Sequence, residues 1–397
     1  MIRLIAFLLF SSSVFANDTL VQKNTPNTQS FESFLLDVRD KALNRGVSNA
    51  TLDQAFLKLT PNPKVIKFDQ SQAEFSQNFW RYLGSRVSGY RLNNGVKNLK
   101  IHQKTLQENY LKYGVPPHIV VAFWGLETNY GSNTGSLNLV RSLATLSYDK
   151  RRRAFFTEQL LTLLKLIDEQ KIPLNAKGSW AGAMGNVQFM PTNVAAYGVD
   201  ADQDGEIGLW DNTQDIFASA ANFLQKIGWH RGERWGREVS IPTTFNYQIA
   251  NLKTKKTVNE WQALGVRTAQ GQNLPNSTLS ASLILPMGYN GPAFLAYRNF
   301  RAILRWNQSI LYALSVGHLS DRLAGTNKLY AKPITEPSLS RDDITHIQIQ
   351  LNTLGFDTGE PDGISGPNTR NATRAYQQAN SLPIDGYVGY QLLQQLK

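Results

Sequence analysis

The stretch that decides the fold runs from Pro116 to Gly131 and reads Pro-Pro-His-Ile-Val-Val-Ala-Phe-Trp-Gly-Leu-Glu-Thr-Asn-Tyr-Gly. Pro116 and Pro117 suit the first positions of a helix, where a missing amide hydrogen costs nothing. Ile119, Val120, Val121, Ala122, Phe123, Trp124 and Leu126 then make the segment apolar on every side, which marks a helix buried all round. Glu127 sits at its end. A carboxylate in such surroundings is costly to ionise, so desolvation is expected to raise its pKa toward the range where it donates a proton near neutrality. On this segment alone, a Glu paired with an internal Lys or Arg is an equal reading. Thr128, Asn129, Tyr130 and Gly131 shift the balance, because hydrogen-bonding groups and a helix stop place the carboxylate at a surface opening.

Outward from this helix, the front half reads as almost wholly helical. Phe34, Leu35, Val38, Ala42 and Leu43 recur at helical spacing, and periodic segments follow around Phe75 to Val87 and Asn98 to Tyr113. Between Glu238 and Leu285 the pattern changes to short β-branched or alternating runs, such as Val239 to Phe245 and Ser282 to Leu285, separated by Asn, Gly and Pro turns. A small β-rich insert is expected there, about 238–285. Helical periodicity returns from Pro292 to Leu323, and Lys332 to Ser340, with two prolines and little apolar content, is the linker candidate.

Two further segments carry chemistry. One is Gly178-Ser179-Trp180-Ala181-Gly182-Ala183-Met184-Gly185-Asn186-Val187-Gln188-Phe189-Met190-Pro191, and the other is Arg305-Trp306-Asn307-Gln308-Ser309 with Tyr312. Together with Gly125 to Gly131 they resemble, in order and spacing, the motifs of the B-type lytic murein transglycosylases over roughly residues 30 to 325. The resemblance implies a lysozyme-like catalytic core within an α+β, mainly α fold, occupying 31–331. It also implies Glu127 as acid and base, and Ser179 and Gln188 as groups that hold a sugar's polar substituents. Asn307 and Tyr312, with Trp306 for stacking, are further implied contacts, and Tyr82 in Phe79-Trp80-Arg81-Tyr82 is where the family tends to place a tyrosine. Trp306 and Phe223 depart from the family's frequent tyrosine, which keeps stacking and loses a hydroxyl. A hydroxyl bonded to its own loop is the alternative for Ser179; a satisfied buried polar group is the alternative for Gln188, Asn307 and Tyr312. The small residues from Gly178 to Gly185 let the backbone approach a bulky sugar, although tight helix-loop packing gives the same composition.

Asp200, Asp202, Asp204, Gly205, Glu206 and Asp211 fall at positions one, three, five, six, seven and twelve of an EF-hand-like loop, 200–211. Alternate oxygen ligands converge on one point, Gly205 permits the sharp turn, and Glu206 offers its carbonyl. Asp211 is shorter than the usual twelfth-position Glu; Asp215 is the substitute that the resemblance favours, and equally a helix N-cap. A structural calcium is the expectation, with a charge-rich solvated turn as the alternative and no cofactor for catalysis.

At the C-terminus, Ile347, Leu351 and Leu354 form a helical stripe that ends at Gly355. The turn-rich Gly359-Glu360-Pro361-Asp362-Gly363-Ile364-Ser365-Gly366-Pro367 and the later Asp385-Gly386-Tyr387-Val388-Gly389 make residues 341–397 resemble the peptidoglycan-binding domain appended to wall hydrolases. Asp362, Gly363 and Gly366 read as turn formers.

The 397 residues, 42% apolar and 11% aromatic, are enough for two or three domains. Arg3, the apolar run Leu4 to Phe10 and the small-residue end Ser11 to Ala16 form a secretory signal, 1–16, with Asn17 opening the mature chain and a flexible leader over 17–30. The run is shorter than the ~20 residues of a spanning helix. Without cysteine there is no disulfide, thiolate chemistry or lipidated cysteine, so a soluble periplasmic protein is expected. A net charge of +11 favours a negatively charged partner, and export disfavours nucleic acid. Lys150 to Arg153, the densest basic run, reads as a solvated face. The expected partners are peptidoglycan and the cell-wall synthesis machinery. The resemblance implies cleavage between N-acetylmuramic acid and N-acetylglucosamine with formation of a 1,6-anhydro end. A hydrolytic muramidase using Asp149 or Asp168 as a second acid, and a wall-binding scaffold without activity, are the alternatives.

Overall fold

A computed structural model describes residues 29–70 and 77–397; the signal over 1–16 and most of the leader lie outside the described residues. The described chain divides into two compact units, one holding residues up to 70 with 93–227, the other 77–92 with 228–397.

The first unit is helical because its apolar residues recur at helical spacing and its helices start on capping side chains. Ser30 caps Phe31–Leu43, Ser48 caps Asn49–Ala55, Asn138 caps Leu139–Tyr148 and Asn212 caps Thr213–Lys226. Arg153–Asp168 is its central packing element, in contact with Leu139–Tyr148, Pro191–Tyr197 and Phe31–Leu43. Leu160, Leu163 and Leu164 are fully buried there. Arg151 and Arg152, from the run read as a solvated face, both pair with the buried carboxylate of Asp69. The segment read as one periodic stretch from Asn98 to Tyr113 is two helices, Gly89–Ile101 and Gln103–Tyr113, which break at His102.

The second unit holds a five-stranded antiparallel sheet. Its order is Lys256–Thr257, Ser280–Ile284, Ala293–Ala296, Gly236–Ser240 and Arg267–Thr268. Leu283 faces Leu295 across one ladder and Val239 faces Ala293 across another. These residues join Trp261 and Val266 in a buried cluster, with the Trp261 indole donating to Ala281 O at 3.0 Å. The sheet is wider than the expected insert. Ala293–Ala296, read as the start of helical periodicity, is a strand, and helix begins only at Arg298. A short apolar run flanked by weak signals fits either element, and pairing with two neighbours decides it. The helix that follows is also interrupted: Arg298–Trp306 ends at Asn307, and Ser309 caps a new helix, Ile310–Leu323.

The last 57 residues of this unit form three helices, Arg341–Thr353, Pro367–Ala379 and Tyr390–Gln395, around Ile344, Ile347, Leu351, Ala372, Tyr376, Leu392 and Leu393. Two of the turns between them are built alike. Gln348 donates to Asp362 Oδ1 and accepts from Gly363 N, while Gln377 donates to Asp385 Oδ1 and accepts from Gly386 N. In each, the residue two beyond the Asp donates its N–H back to that Oδ1, and an arginine, Arg341 or Arg374, donates to the Asp carbonyl. The repeated Asp-Gly is therefore a turn held by a buried amide from the preceding helix, a structural role that matches the turn-forming reading. Residues 332–340 carry no helix and are fastened along their length: Asn78 Nδ2 donates to Glu336 O at 2.6 Å, and Leu339 belongs to the helical core.

Two groups on Ile310–Leu323, buried His318 and half-buried Asp321, respond to pH in opposite directions. Burial pushes the His318 imidazole down to about 4, helped by Arg322, and pushes the Asp321 carboxyl up to about 6 against the pull of Arg234. Between 6.5 and about 4 the folded His318 binds fewer protons than the unfolded chain, so its contribution to stability is lost as pH falls. Between 3.8 and about 6 the folded Asp321 binds more, so its contribution is lost as pH rises. Asp321→Asn removes the second effect alone. It is expected to stabilise the protein by on the order of 1–3 kcal/mol at pH 7.5 and by much less at pH 4, read from melting curves at the two pH values.

Candidate functional site

Pro116 is the N-cap and Pro117 the first residue of the helix Pro117–Thr128, in which every residue from Ile119 to Thr128 is buried. Glu127, 7% exposed, lies in its last turn. The helix stops within the stretch from Thr128 to Gly131, where a stop is expected. Asn129 closes it in the left-handed conformation at φ 53°, with its N–H on Gly125 O, and Tyr130 and Gly131 continue left-handed at φ 61° and 83°. A left-handed Asn is common, but a bulky left-handed Tyr is strained. Tyr130 is held there by its N–H on Trp124 O and by a ring that stands edge-on to Trp124 at 5.5 Å. Only glycine fits at 125 because a Cβ would come within 2.7 Å of the Tyr130 ring.

The Gly178–Pro191 segment is fastened to this helix end at several points. Leu137–Asn138 pairs antiparallel with Lys177–Gly178. Asn186 accepts from the Trp124 indole at 2.6 Å and donates to Leu209 O and Trp210 O, and its backbone carbonyl accepts from Thr128 Oγ1 at 2.9 Å. Thr128 Oγ1 in turn accepts from Gly131 N. Gln188, 6% exposed and left-handed at φ 50°, gives its side-chain NH₂ to Thr134 O and Gly185 O. Ser179 Oγ accepts from Ala183 N at 3.0 Å, which leaves the hydroxyl proton available to donate. Both side chains are thus engaged by the backbone on one side, and the atoms left for a ligand are the Gln188 Oε1 and the Ser179 O–H.

Sequence reasoning gave no role to Asn186 or Trp124. The available signal was an amide among small and apolar residues, Gly185-Asn186-Val187: a buried amide must find partners, and this one finds three. Glu127, Ser179 and Gln188 all lie in the first unit. Tyr82, Trp306, Asn307 and Tyr312 lie in the second. There, the helices Phe79–Arg86 and Ile310–Leu323 that carry Tyr82 and Tyr312 pack together, Arg86 lies over the Tyr82 ring, and Asn307 Oδ1 accepts from Ser309 N at the start of the Tyr312 helix. Trp306 is half-buried, and Phe223 packs on Phe189 and Tyr197.

In the acidic loop, carboxylate oxygens of Asp200, Asp202 and Asp204 lie within 4.8 Å of one another. Gly205 takes the turn at φ 101°, as position six requires. Glu206 and Asp211 are exposed and outside this group. Asp215 is not the helix N-cap, a place taken by Asn212. It is fully buried and accepts from Ala201 N and Gly208 N, each at 2.7 Å, so one carboxylate ties two points of the loop together. Burial raises its pKa, against these two backbone donors.

Asn186→Ala deletes the acceptor of a buried indole N–H and the donor to two buried carbonyls. It is expected to cost about 2–4 kcal/mol, measured by denaturant unfolding, whereas a comparable exposed change such as Asn259→Ala costs under about 0.5 kcal/mol.

Residues 30–321 match the Transglycosylase SLT domain family, and residues 340–396 match a peptidoglycan binding domain family. Membrane-bound lytic murein transglycosylase B of Escherichia coli K12 is 33% identical over 318 residues, 76% of this chain and 83% of the relative. Among solved structures, SltB3 of Pseudomonas aeruginosa in complex with NAG-anhNAM-pentapeptide is similar at a TM-score of 0.90 and 44% identity, over 93% of this chain and 99% of that one. The Escherichia coli lytic transglycosylase SLT35 in complex with calcium is similar at a TM-score of 0.62 and 32% identity, over 73% of this chain and 92% of that one. The family match takes in both the helical unit with Glu127 and the sheet-bearing one, and the chain belongs to the SLT-domain lytic transglycosylases of peptidoglycan, on a lysozyme-like, mainly α fold.

Proposed function

We propose that Glu127 is the single acid and base of this enzyme. It protonates the oxygen between N-acetylmuramic acid and N-acetylglucosamine, and then takes the proton from the muramoyl C6 hydroxyl. That oxygen bonds to C1 as the bond to the leaving sugar breaks, and a 1,6-anhydro ring forms without water. The observation that carries this reading is a buried carboxylate in the last turn of a helix that is buried from Ile119 onward, beside a loop whose Ser179 O–H and Gln188 Oε1 are left for a sugar's polar groups. The SltB3 relative bound to NAG-anhNAM-pentapeptide supports the product. Tyr82, Trp306, Asn307 and Tyr312 are proposed as further sugar contacts.

The two acids suited to a hydrolytic alternative are occupied elsewhere. Asp168 accepts from Ser48 N, Ser48 Oγ and Thr51 Oγ1, and the Ser48 hydroxyl holds its carboxyl below the usual range, so it anchors the start of Asn49–Ala55. Asp149 ends Leu139–Tyr148 and accepts from Arg151 N. The compartment proposed is the periplasm, where the substrate lies; no described helix is long and apolar enough to cross a membrane. A partnership with the wall-synthesis machinery is proposed on the family resemblance alone.

For a structural cation, the residues fit. Three gathered carboxylates on alternate positions suit a hard divalent ion such as calcium, and SLT35 has been solved with calcium. Asp200, Asp202 and Asp204 would hold it, with Asp215 bracing the loop from beneath.

Glu127→Gln keeps the shape of the side chain and removes proton transfer. Turnover of purified wall is expected to fall by at least ~10² to 10⁴ with wall binding and melting temperature retained. Mass analysis of the wild-type products is expected to show ends lighter by one water than hydrolysed ones; hydrolysed ends alone would sink the anhydro reading. Calcium at a hundredfold excess over its Kd is expected to add about 2.7 kcal/mol of stability. Coincident melting curves in calcium and in chelator would remove the ion.

A further inference from the structure

We infer that a second glycan-binding site lies in the second unit, in a hollow of about 520 Å³ where the C-terminal helical domain meets the Met287–Asn290 loop and the Ile334–Pro337 strap. It rests on the reading of residues 340–396 as a wall-binding domain, and none of the residues lining it is among those assigned to cleavage.

The walls are preformed. Asp385 Oδ2 accepts from Tyr289 N at 2.8 Å, and the Glu336 carboxylate accepts from Tyr387 O–H at 2.9 Å and Tyr390 N at 2.7 Å. These bonds lock the helical domain against the loop and the strap, so a ligand meets a fixed surface and loses little in ordering it. The same bonds use up both carboxylates that line the hollow. The Glu336 negative charge, hydrogen bonding to it and burial together push the Tyr387 phenol well above its usual range, with burial the largest cause, so that ring stays neutral.

Beyond these two hydrogen-bonded carboxylates, the groups that face a ligand are uncharged. The helix Tyr390–Gln395 supplies Gln391, Gln394 and Gln395, and the loop supplies Asn290; none of these amides has a hydrogen-bond partner among the described residues. Tyr289 and Tyr390 add aromatic faces, and Tyr390 is 37% exposed. Primary amides that both donate and accept, set beside aromatic rings, suit the hydroxyl and N-acetyl groups and the apolar faces of neutral sugars. A stem peptide brings carboxylates, for which the lining offers no cation and two negative charges. The volume falls in the range of small-molecule sites. The occupant is therefore a short N-acetylated stretch of the glycan strand. With the domain locked, this second hold would keep a strand attached while Glu127 works on it.

The test uses the full chain carrying Glu127→Gln, so that wall is bound and not cut. Co-sedimentation with insoluble peptidoglycan is measured for this parent, with Tyr390→Ala added, and with Gln391→Ala and Gln394→Ala added together. None of these changes touches the locking bonds, since Tyr390 contributes only its backbone N–H to them. Each is expected to weaken retention roughly three- to tenfold at unchanged melting temperature. The same changes made with Glu127 intact should leave turnover of a short soluble muropeptide unaltered. Soluble N-acetylglucosamine tetramer should displace the parent from wall, and the difference between parent and variants should vanish at saturating tetramer. Retention equal to the parent's in both variants would overturn the site and leave the Glu127 assignment standing. A difference abolished by free stem peptide and untouched by the tetramer would overturn the glycan occupant. A parent that does not sediment with wall would overturn the wall-binding reading and the hollow with it.

Discussion

The first unit depends on one buried side chain, the amide of Asn186. It accepts the Trp124 indole on one side and reaches two carbonyls of Leu209–Trp210 on the other, while its own carbonyl receives Thr128. Trp124 and Thr128 flank Glu127 on its helix, so the carboxylate stands between two residues that Asn186 pins. The strained turn at Asn129 to Gly131 is tolerated because these contacts over-determine it, and strain held in this way is typical of a functional position. The acid and base role proposed for Glu127 would gain from such fixing, since small displacements of a reacting group cost large factors in rate.

The acidic loop shows the same economy of means. The sequence offers six candidate oxygen donors, and the fold separates them by role: three converge, two are exposed, and buried Asp215 ties Ala201 to Gly208. A buried carboxylate with two backbone donors is a satisfied one, which explains how it persists under a cluster of like charge. The loop begins at the end of Pro191–Tyr197 and leads into Thr213–Lys226, so its order bears on the packing of both helices.

In the C-terminal domain, one turn design is used twice with different results. The Asp362 copy leaves its second carboxylate oxygen without a partner among the described residues, whereas the Asp385 copy spends that oxygen on Tyr289 N. With Glu336 at the facing strap, this turns a stretch with the composition of a flexible linker into a clamp. Composition reports what a segment can do when it is free; hydrogen bonds to residues some 50 or 250 positions away decide whether it is.

By itself, the sequence determined the features set by local pattern. Unbroken apolar residues from Ile119 to Leu126 mark a buried helix, and the polar residues after Glu127 mark where it stops. Periodicity places the surrounding helices, and the Asp-Gly turns outline the last domain. These readings hold because helix burial and turn conformation follow from residues a few positions apart. The tertiary structure decided what depends on partners distant in the chain. It broke the Asn98–Tyr113 stretch at His102, made Ala293–Ala296 a strand through pairing on both sides, and chose Asp215 over Asp211 as the loop's brace. It also gave Asn186 its place, because an amide among glycines shows its meaning only when the indole and carbonyls that satisfy it are brought within hydrogen-bonding distance.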